Sequence, residues 1–160
     1  MLTQLPTKGK SGYFFNLVAP LILQCYLINP QTLQKNTPLI LIVDDSIILS
    51  DRMIQLIREE GLLHTIAHVG TYELALEQLQ LQQPDLILLD ISLPDGNGID
   101  LLRMIRSLYP DTKSIIVTNH ATEYYKDLCI SLGAFSFLDK SKDFELIPIF
   151  ISNLLPLKAA

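Results

Sequence analysis

Five times between Leu39 and Leu154 a short apolar run gives way to a stretch with the spacing of an amphipathic helix. No other feature constrains the fold as strongly. Strands separated by helices of this length must cross over and pair in parallel, with right-handed connections. Residues 39–43 form the first run and end in Asp44-Asp45. Residues 46–60 read as a helix, with Ile47, Ile54 and Ile57 on one face and Gly61 just past its end. Residues 62–67 are a second, weaker strand. Thr71 suits an N-cap, and Tyr72, Ala75, Leu76 and Leu79 follow at i, i+3, i+4 and i+7. Pro84 stops anything helical, and the run from Leu86 to Leu89 leads into Asp90. Leu101, Ile105 and Leu108 mark the third helix, ended before Pro110. Residues 114–117 form the fourth strand, ending in Thr118. Tyr125, Leu128, Cys129 and Leu132 mark the fourth helix, with Gly133 beyond it. Residues 135–138 are the fifth strand, ending near Lys140, and Ile147, Phe150, Ile151 and Leu154 mark the last helix. Pro148 falls inside that last pattern, so the helix either starts late, with the proline in its first turn, or bends there.

These units predict an α/β domain: a flavodoxin-like, doubly wound, five-stranded parallel sheet of order 2-1-3-4-5. Such sheets place their chemistry outside the C-terminal ends of the strands. There the sequence supplies Asp44-Asp45, Asp90, Thr118 and Lys140. In that order the first and third strands are neighbours at the reversal point, which brings Asp44, Asp45 and Asp90 together. Three carboxylates so close repel one another, at about 4 kcal/mol per pair for ~4 Å and an effective dielectric near ~20. A divalent, oxygen-seeking cation relieves the repulsion, and Mg2+ is the usual one where phosphate is handled. The same cation lets a phosphoryl group approach a negatively charged nucleophile, because phosphoryl transfer needs neutralisation and positioning. Asp90 is therefore expected to take up a phosphoryl group, as a carboxylate nucleophile forming an acyl phosphate. Lys140 offers a point charge to the phosphoryl oxygens and Thr118 a hydroxyl. Each residue also has a plainer reading: Asp90 closing a turn, Asp44 or Asp45 capping the first helix, Thr118 ending a strand, Lys140 in solvent. Their co-occurrence at the strand ends of one sheet favours the chemical reading. His64, His68 and His120 have no metal-ligand spacing and are read as non-ligands.

The chain is 160 residues long and 49% hydrophobic, which suits one globular domain with a sizeable core. Its net charge of −5 gives no support for nucleic-acid binding. Residues 1–38 hold Lys8, Lys10 and Lys35 and no acid, leaving 9 basic against 17 acidic residues in the remainder. An acidic domain that holds phosphate needs a cation to bridge the charges. Cys25 and Cys129 are far apart, Cys129 falls on an apolar helix face, and a reducing, cytosolic setting fits both. The apolar run 13–28 follows Lys8 and Lys10 in the manner of a signal segment. However, Asn16, Pro20 and Gln24 interrupt it, and it falls short of the ~20 residues a membrane helix needs. Residues 1–38 are expected to be a loosely ordered extension ending in a polar linker, 39–155 the domain, and 156–160 a tail.

Four stretches carry a resemblance: Leu39-Ile-Leu-Ile-Val-Asp-Asp45, Asp85-Leu-Ile-Leu-Leu-Asp-Ile-Ser-Leu-Pro-Asp-Gly-Asn-Gly98, Ile115-Ile-Val-Thr118 and Gly133-Ala-Phe-Ser-Phe-Leu-Asp-Lys140. Over residues 39–155 the chain resembles the receiver domain of bacterial two-component response regulators. The resemblance implies that Asp90 accepts phosphate from a phosphohistidine on a sensor histidine kinase or histidine phosphotransfer protein. It implies Mg2+ held by Asp45 directly, by Asp44 largely through water, by Asp90 and by the Ser92 backbone carbonyl. Thr118 would move to bond the phosphoryl group, Lys140 would pair with it, and Phe137 would be the switch aromatic that turns inward. The surface of the fourth helix, fifth strand and last helix would then change its preference for a downstream protein. Three positions depart from the family pattern. Asn119 follows Thr118 where a small residue is favoured, narrowing access to the site. Ser141 follows Lys140 where many members have proline, so a cis-proline turn is missing. Phe137 lacks the hydroxyl of the tyrosine often found there. Ser92 and His120 occupy positions that tune phosphate lifetime.

The expected function is a stand-alone cytoplasmic phosphoacceptor switch, since nothing after Ala160 could serve as an output domain. Output would run through protein contact, without nucleic-acid or membrane partners, and a homodimer through the switch surface is compatible with it. It would be no enzyme beyond catalysing its own phosphorylation and dephosphorylation. A Mg2+-dependent phosphohydrolase would typically carry a second acid two residues after the nucleophile, where Ser92 stands. A receiver-like adaptor that never takes phosphate would not need the full set Asp44, Asp45, Asp90, Thr118 and Lys140. No Walker loop or dinucleotide glycine pattern is present.

Overall fold

Strands form where the apolar runs are unbroken. Leu39–Val43 (β1) and Leu86–Leu89 (β3) are buried at every position. Lys113–Thr118 (β4) is buried after its first residue. Thr65–Val69 (β2) and Ser136–Asp139 (β5) are only part-buried. That contrast follows from position, because the computed structural model, which describes residues 37–61 and 64–155, pairs them as β2-β1-β3-β4-β5. All four pairings are parallel, and β2 and β5 are the edges. The order is the expected 2-1-3-4-5. Central strands covered on both faces read as continuous apolar runs, whereas an edge strand keeps polar positions. The second strand accordingly starts and ends later than its apolar content implied, at Thr65–Val69 and not 62–67.

Among the described residues five helices follow the strands, and most have a visible start signal. Ile47–Glu59 (α1) is capped by Ser46, whose hydroxyl accepts from the Leu49 amide at 3.4 Å. Tyr72–Leu81 (α2) is capped by Thr71, as expected. Gly98–Leu108 (α3) is capped by Asn97 and Glu123–Ser131 (α4) by Thr122. Gly61 and Gly133 end α1 and α4 in the left-handed region, at φ 67° and 93°. A 3-10 turn, Phe144–Leu146, precedes Ile147–Leu154 (α5), with Pro148 in the first turn. The proline therefore starts the helix, where its missing N–H costs nothing, and does not bend it.

Two cores lie on opposite faces of the sheet. Leu41, Val43, Ile87, Leu89 and Ile116 pack against Ala75 and Leu79 of α2, Leu101, Leu102 and Ile105 of α3, and Cys129 of α4. Ile40, Ile42, Leu86, Leu88, Ile115 and Val117 pack against Met53 and Ile57 of α1 and Ile147 and Ile151 of α5. Two expected core positions are exposed. Ile47 lies in the first turn of α1, about a quarter turn around from Ile57, and is 68% exposed. Leu108 lies in the last turn of α3, past the packed part of its face. Phe135 is also exposed and precedes β5. None of the described helices is long and apolar enough to cross a membrane. The apolar run 13–28 with Cys25, the linker up to residue 36, Leu62, Leu63 and the tail 156–160 lie outside the described residues.

Candidate functional site at the strand C-termini

Val43 of β1 lies opposite Leu89 of β3, so the next residue on each, Asp44 and Asp90, emerges at the same rim. Both backbones remain tied to a neighbouring strand. The Asp90 amide donates to the Val43 carbonyl at 2.9 Å, and the Asp44 amide to the Val69 carbonyl at 3.1 Å. Carboxylate oxygens of Asp44, Asp45 and Asp90 all lie within 4.8 Å of one another. Asp44 and Asp90 are buried, whereas Asp45 is exposed. Neither Asp44 nor Asp45 caps α1. Ser46 does so, and Asp44 Oδ1 instead accepts from the Ser46 amide at 3.0 Å.

Lys140 arrives from the other side of the sheet. Thr118 lies opposite Asp139, and the Lys140 amide donates to the Thr118 carbonyl at 2.9 Å. The lysine is buried, with Nζ 2.6 Å from Oδ2 of Asp44 and 2.6 Å from Oδ2 of Asp90. The solvent reading of this residue is thereby excluded. Three carboxylates and one ammonium leave a formal charge of −2 in the cluster. Burial pushes the Asp44 carboxyl up from its ordinary value, the Lys140 ammonium and Ser46 amide pull it back, and the Asp90 charge adds to the rise. An all-oxygen donor set with that residual charge, two members buried and one open to solvent, fits a hard divalent cation such as Mg2+.

The loop after β3 is shaped by its glycines. A short hairpin pairs Ser92 with Asn97 and Leu93 with Gly96, and the Ser92 amide donates to Asp90 Oδ1 at 3.3 Å. A Cβ at Gly98 would stand 2.0 Å from the Asp90 carbonyl oxygen, so only glycine lets α3 begin this close to the acid. Asp95, in the hairpin turn, accepts from the Tyr72 amide at 2.7 Å and the Glu73 amide at 3.0 Å. Those two amides, Glu73's first, hold the Asp95 carboxyl below its usual value.

The loop after β5 closes without proline. Asp139 Oδ1 accepts from the Ser141 amide at 2.8 Å and from its hydroxyl at 2.6 Å. The Lys142 ammonium lies 3.1 Å from Asp139 Oδ2, and the Asp139 amide donates to Asp143 at 3.0 Å. A side-chain turn thus fixes the segment that carries Lys140. Thr118 is fully buried, and its hydroxyl oxygen accepts from the His120 amide at 3.2 Å. Phe137 is half-buried opposite Ile116 and packs against the core beneath α2, α3 and α4. Asn119 and His120 are exposed. His68 had no signal in the sequence, yet its Nε2 lies 2.8 Å from the Asp44 carbonyl oxygen. Asp95 was visible only as part of a turn, because its helix partner is 22 residues away in the chain.

An open parallel sheet of this order, with three carboxylates and a buried lysine at one rim, defines a receiver domain. Residues 40–150 match the family model of the response regulator receiver domain, and the chain belongs to that family. Over 104 residues it is 34% identical to a protein-glutamate methylesterase/protein-glutamine glutaminase of Bacillus subtilis (strain 168), covering 63% of this chain and 29% of that protein. The chain spans half or less of the length of the curated relatives it matches. The signal receiver domain of a Luxo repressor protein from Vibrio parahaemolyticus superposes with a TM-score of 0.69 at 31% identity, covering 74% of this chain and 90% of that one. The Mn2+-bound form of response regulator Rcp1 shares the fold, with a TM-score of 0.67 at 23% identity over 77% of this chain and 99% of that one.

Proposed function

We propose that this receiver domain is a phosphoacceptor switch in which Asp90 takes a phosphoryl group from a phosphohistidine. The donor is a sensor histidine kinase or a histidine phosphotransfer protein. The observation that carries the reading is the placement of Lys140, 2.6 Å from both Asp44 and Asp90. One Asp90 oxygen attacks phosphorus, the P–N bond breaks, and the imidazole nitrogen leaves with the electron pair. Lys140 gives up its contact with Asp90 and pairs with a phosphoryl oxygen. Thr118 donates its hydroxyl to another phosphoryl oxygen, which draws on the loop that ends at His120. Bound Mg2+ supplies charge neutralisation at this site, and Asp44, Asp45, Asp90 and the Ser92 backbone carbonyl are the groups that would hold it.

The response is a two-state shift biased by a new charge. Movement of Thr118 would free space for Phe137, which lies two strand positions before Asp139, the residue opposite Thr118. The surface of α4, β5 and α5, on which Tyr124 of α4 and Ile149 of α5 are exposed, is then the face that changes its downstream protein partner. In this reading the domain acts in the cytoplasm and catalyses only its own phosphorylation and dephosphorylation. Incubation with Mg2+ and acetyl phosphate is expected to add one phosphoryl group by intact mass, and Asp90→Ala to remove the gain. Equal labelling of the variant would overturn the assignment of Asp90.

A further inference from the structure

Val69 and His68 hold the backbone on either side of the Asp44 Cα. The Asp44 amide donates to the Val69 carbonyl at 3.1 Å, and the Asp44 carbonyl oxygen lies 2.8 Å from His68 Nε2. A carbonyl oxygen can only accept, so Nε2 carries the proton. The residue after β2, Gly70, runs close to the same backbone. A Cβ placed there would lie 3.7 Å from both the Asp44 oxygen and the Asp45 Cα. The end of β2 and the glycine after it therefore run beside the Asp44-Asp45 backbone.

That contact matters because of what Asp44 must do. Its two carboxylate oxygens are aimed by the Ser46 amide and the Lys140 ammonium. Asp45 follows it in the chain, is exposed, and takes its direction from the backbone that carries it. The peptide joining the two acids contains the carbonyl that His68 grips. A ring fixed in an edge strand, donating one hydrogen bond to that carbonyl, sets the rotation of the peptide and so the direction in which Asp45 leaves it.

We infer that His68 is a positioning residue for the cation site: by donating from Nε2 to the Asp44 carbonyl it aligns the Asp44-Asp45 pair for Mg2+. The inference rests on the phosphoacceptor reading for the identity of the cation. His68 is not among the ligands: within the described residues the groups that could hold the cation together are Asp44, Asp45 and Asp90. Partners that orient ligands from behind typically change metal affinity by about 10–100-fold when removed.

The test uses the full chain with Mg2+ alone, followed by titration calorimetry. His68→Leu keeps an apolar body and removes the donor, and is expected to weaken Mg2+ binding by about tenfold. His68→Gln restores an N–H at similar reach and is expected to recover most of that loss. A ring 15N spectrum of the wild type should show a protonated Nε2 at neutral pH, and this reading stands even where His68→Leu does not fold. Unchanged affinity in His68→Leu, equal weakening in both variants, or an unprotonated Nε2 overturns the inference. Asp45→Ala serves as the reference: wild-type binding that it abolishes, alongside unchanged binding in His68→Leu, removes this inference alone. Absence of Mg2+ binding in the wild type removes the phosphoacceptor reading and this inference with it.

Discussion

At the scale of single residues, acids of one type do three different jobs. Asp44 and Asp90 are buried against Lys140, while Asp45 faces solvent beside them. Asp139 never enters the cluster, but it fixes the segment that delivers Lys140. The Ser141 hydroxyl and amide, then the Lys142 ammonium, hold the Asp139 carboxyl down at about 2. A depressed acid binds fewer protons in the folded state than in the unfolded one. Its stabilising contribution is therefore present above its ordinary value of 3.8 and is lost as pH falls through about 2. Ser141→Ala is expected to raise the Asp139 value toward 3.8, read by 13C titration of the carboxyl group. The acid-induced fall in stability between those two values should flatten in the variant, as followed by circular dichroism. A titration that does not move would mean that Lys142 and Asp143, not Ser141, hold the turn.

Among the elements, α2 shows how a helix start can be built from distant pieces. The first amides of a helix have no partner within it and must find one elsewhere. In α2 the Tyr72 and Glu73 amides donate to Asp95, the Leu74 amide donates to the Thr71 hydroxyl, and the Ala75 amide closes the first turn on the Thr71 carbonyl. Thr71→Ala should cost about 1 kcal/mol, measured as a lower urea midpoint with an unchanged slope. Asp95→Ala should lower the midpoint as well, by more at neutral pH than in acid, because the carboxylate is the form that accepts both amides. Thr71 was readable from local sequence, since a cap lies next to its helix. Asp95 was not, since it serves a helix 22 residues upstream across the hairpin. The same division runs through the whole domain. β1, β3 and β4 declared themselves as apolar runs, and the carboxylates after β1 and β3 and the hydroxyl that ends β4 were placed at one rim by topology alone. β2 was misplaced because an edge strand carries polar residues, and one of these, His68, makes the contact that no spacing rule could find. Ile47 fitted a helical stripe, yet which stripe is buried depends on how α1 lies on the sheet.

For the whole molecule, the question is how much chain the receiver domain needs. The family match runs from residue 40 to 150, and both faces of the sheet are covered by helices within residues 47–154. Among the described residues, ties to the sheet begin slightly earlier. The Pro38 carbonyl accepts from the Thr65 amide at 2.9 Å, and the Leu39 amide donates to Asp85 at 2.8 Å. Those bonds hold the start of β1 between β2 and the end of the segment before β3. A cut after Asn36 preserves both, whereas a cut inside β1 would strip a strand that is buried at every position. Removing residues 1–36 also removes three lysines and no acid, which leaves the acidic cluster and its formal charge intact. A chain starting at Thr37 should therefore unfold in one cooperative step, bind Mg2+, and take one phosphoryl group from acetyl phosphate to the same extent as the full chain. Circular dichroism, calorimetry and intact mass read these three outcomes separately. A folded fragment that binds Mg2+ but is not phosphorylated would assign residues 1–36 a part in the chemistry. An unfolded fragment would move the boundary of the domain upstream.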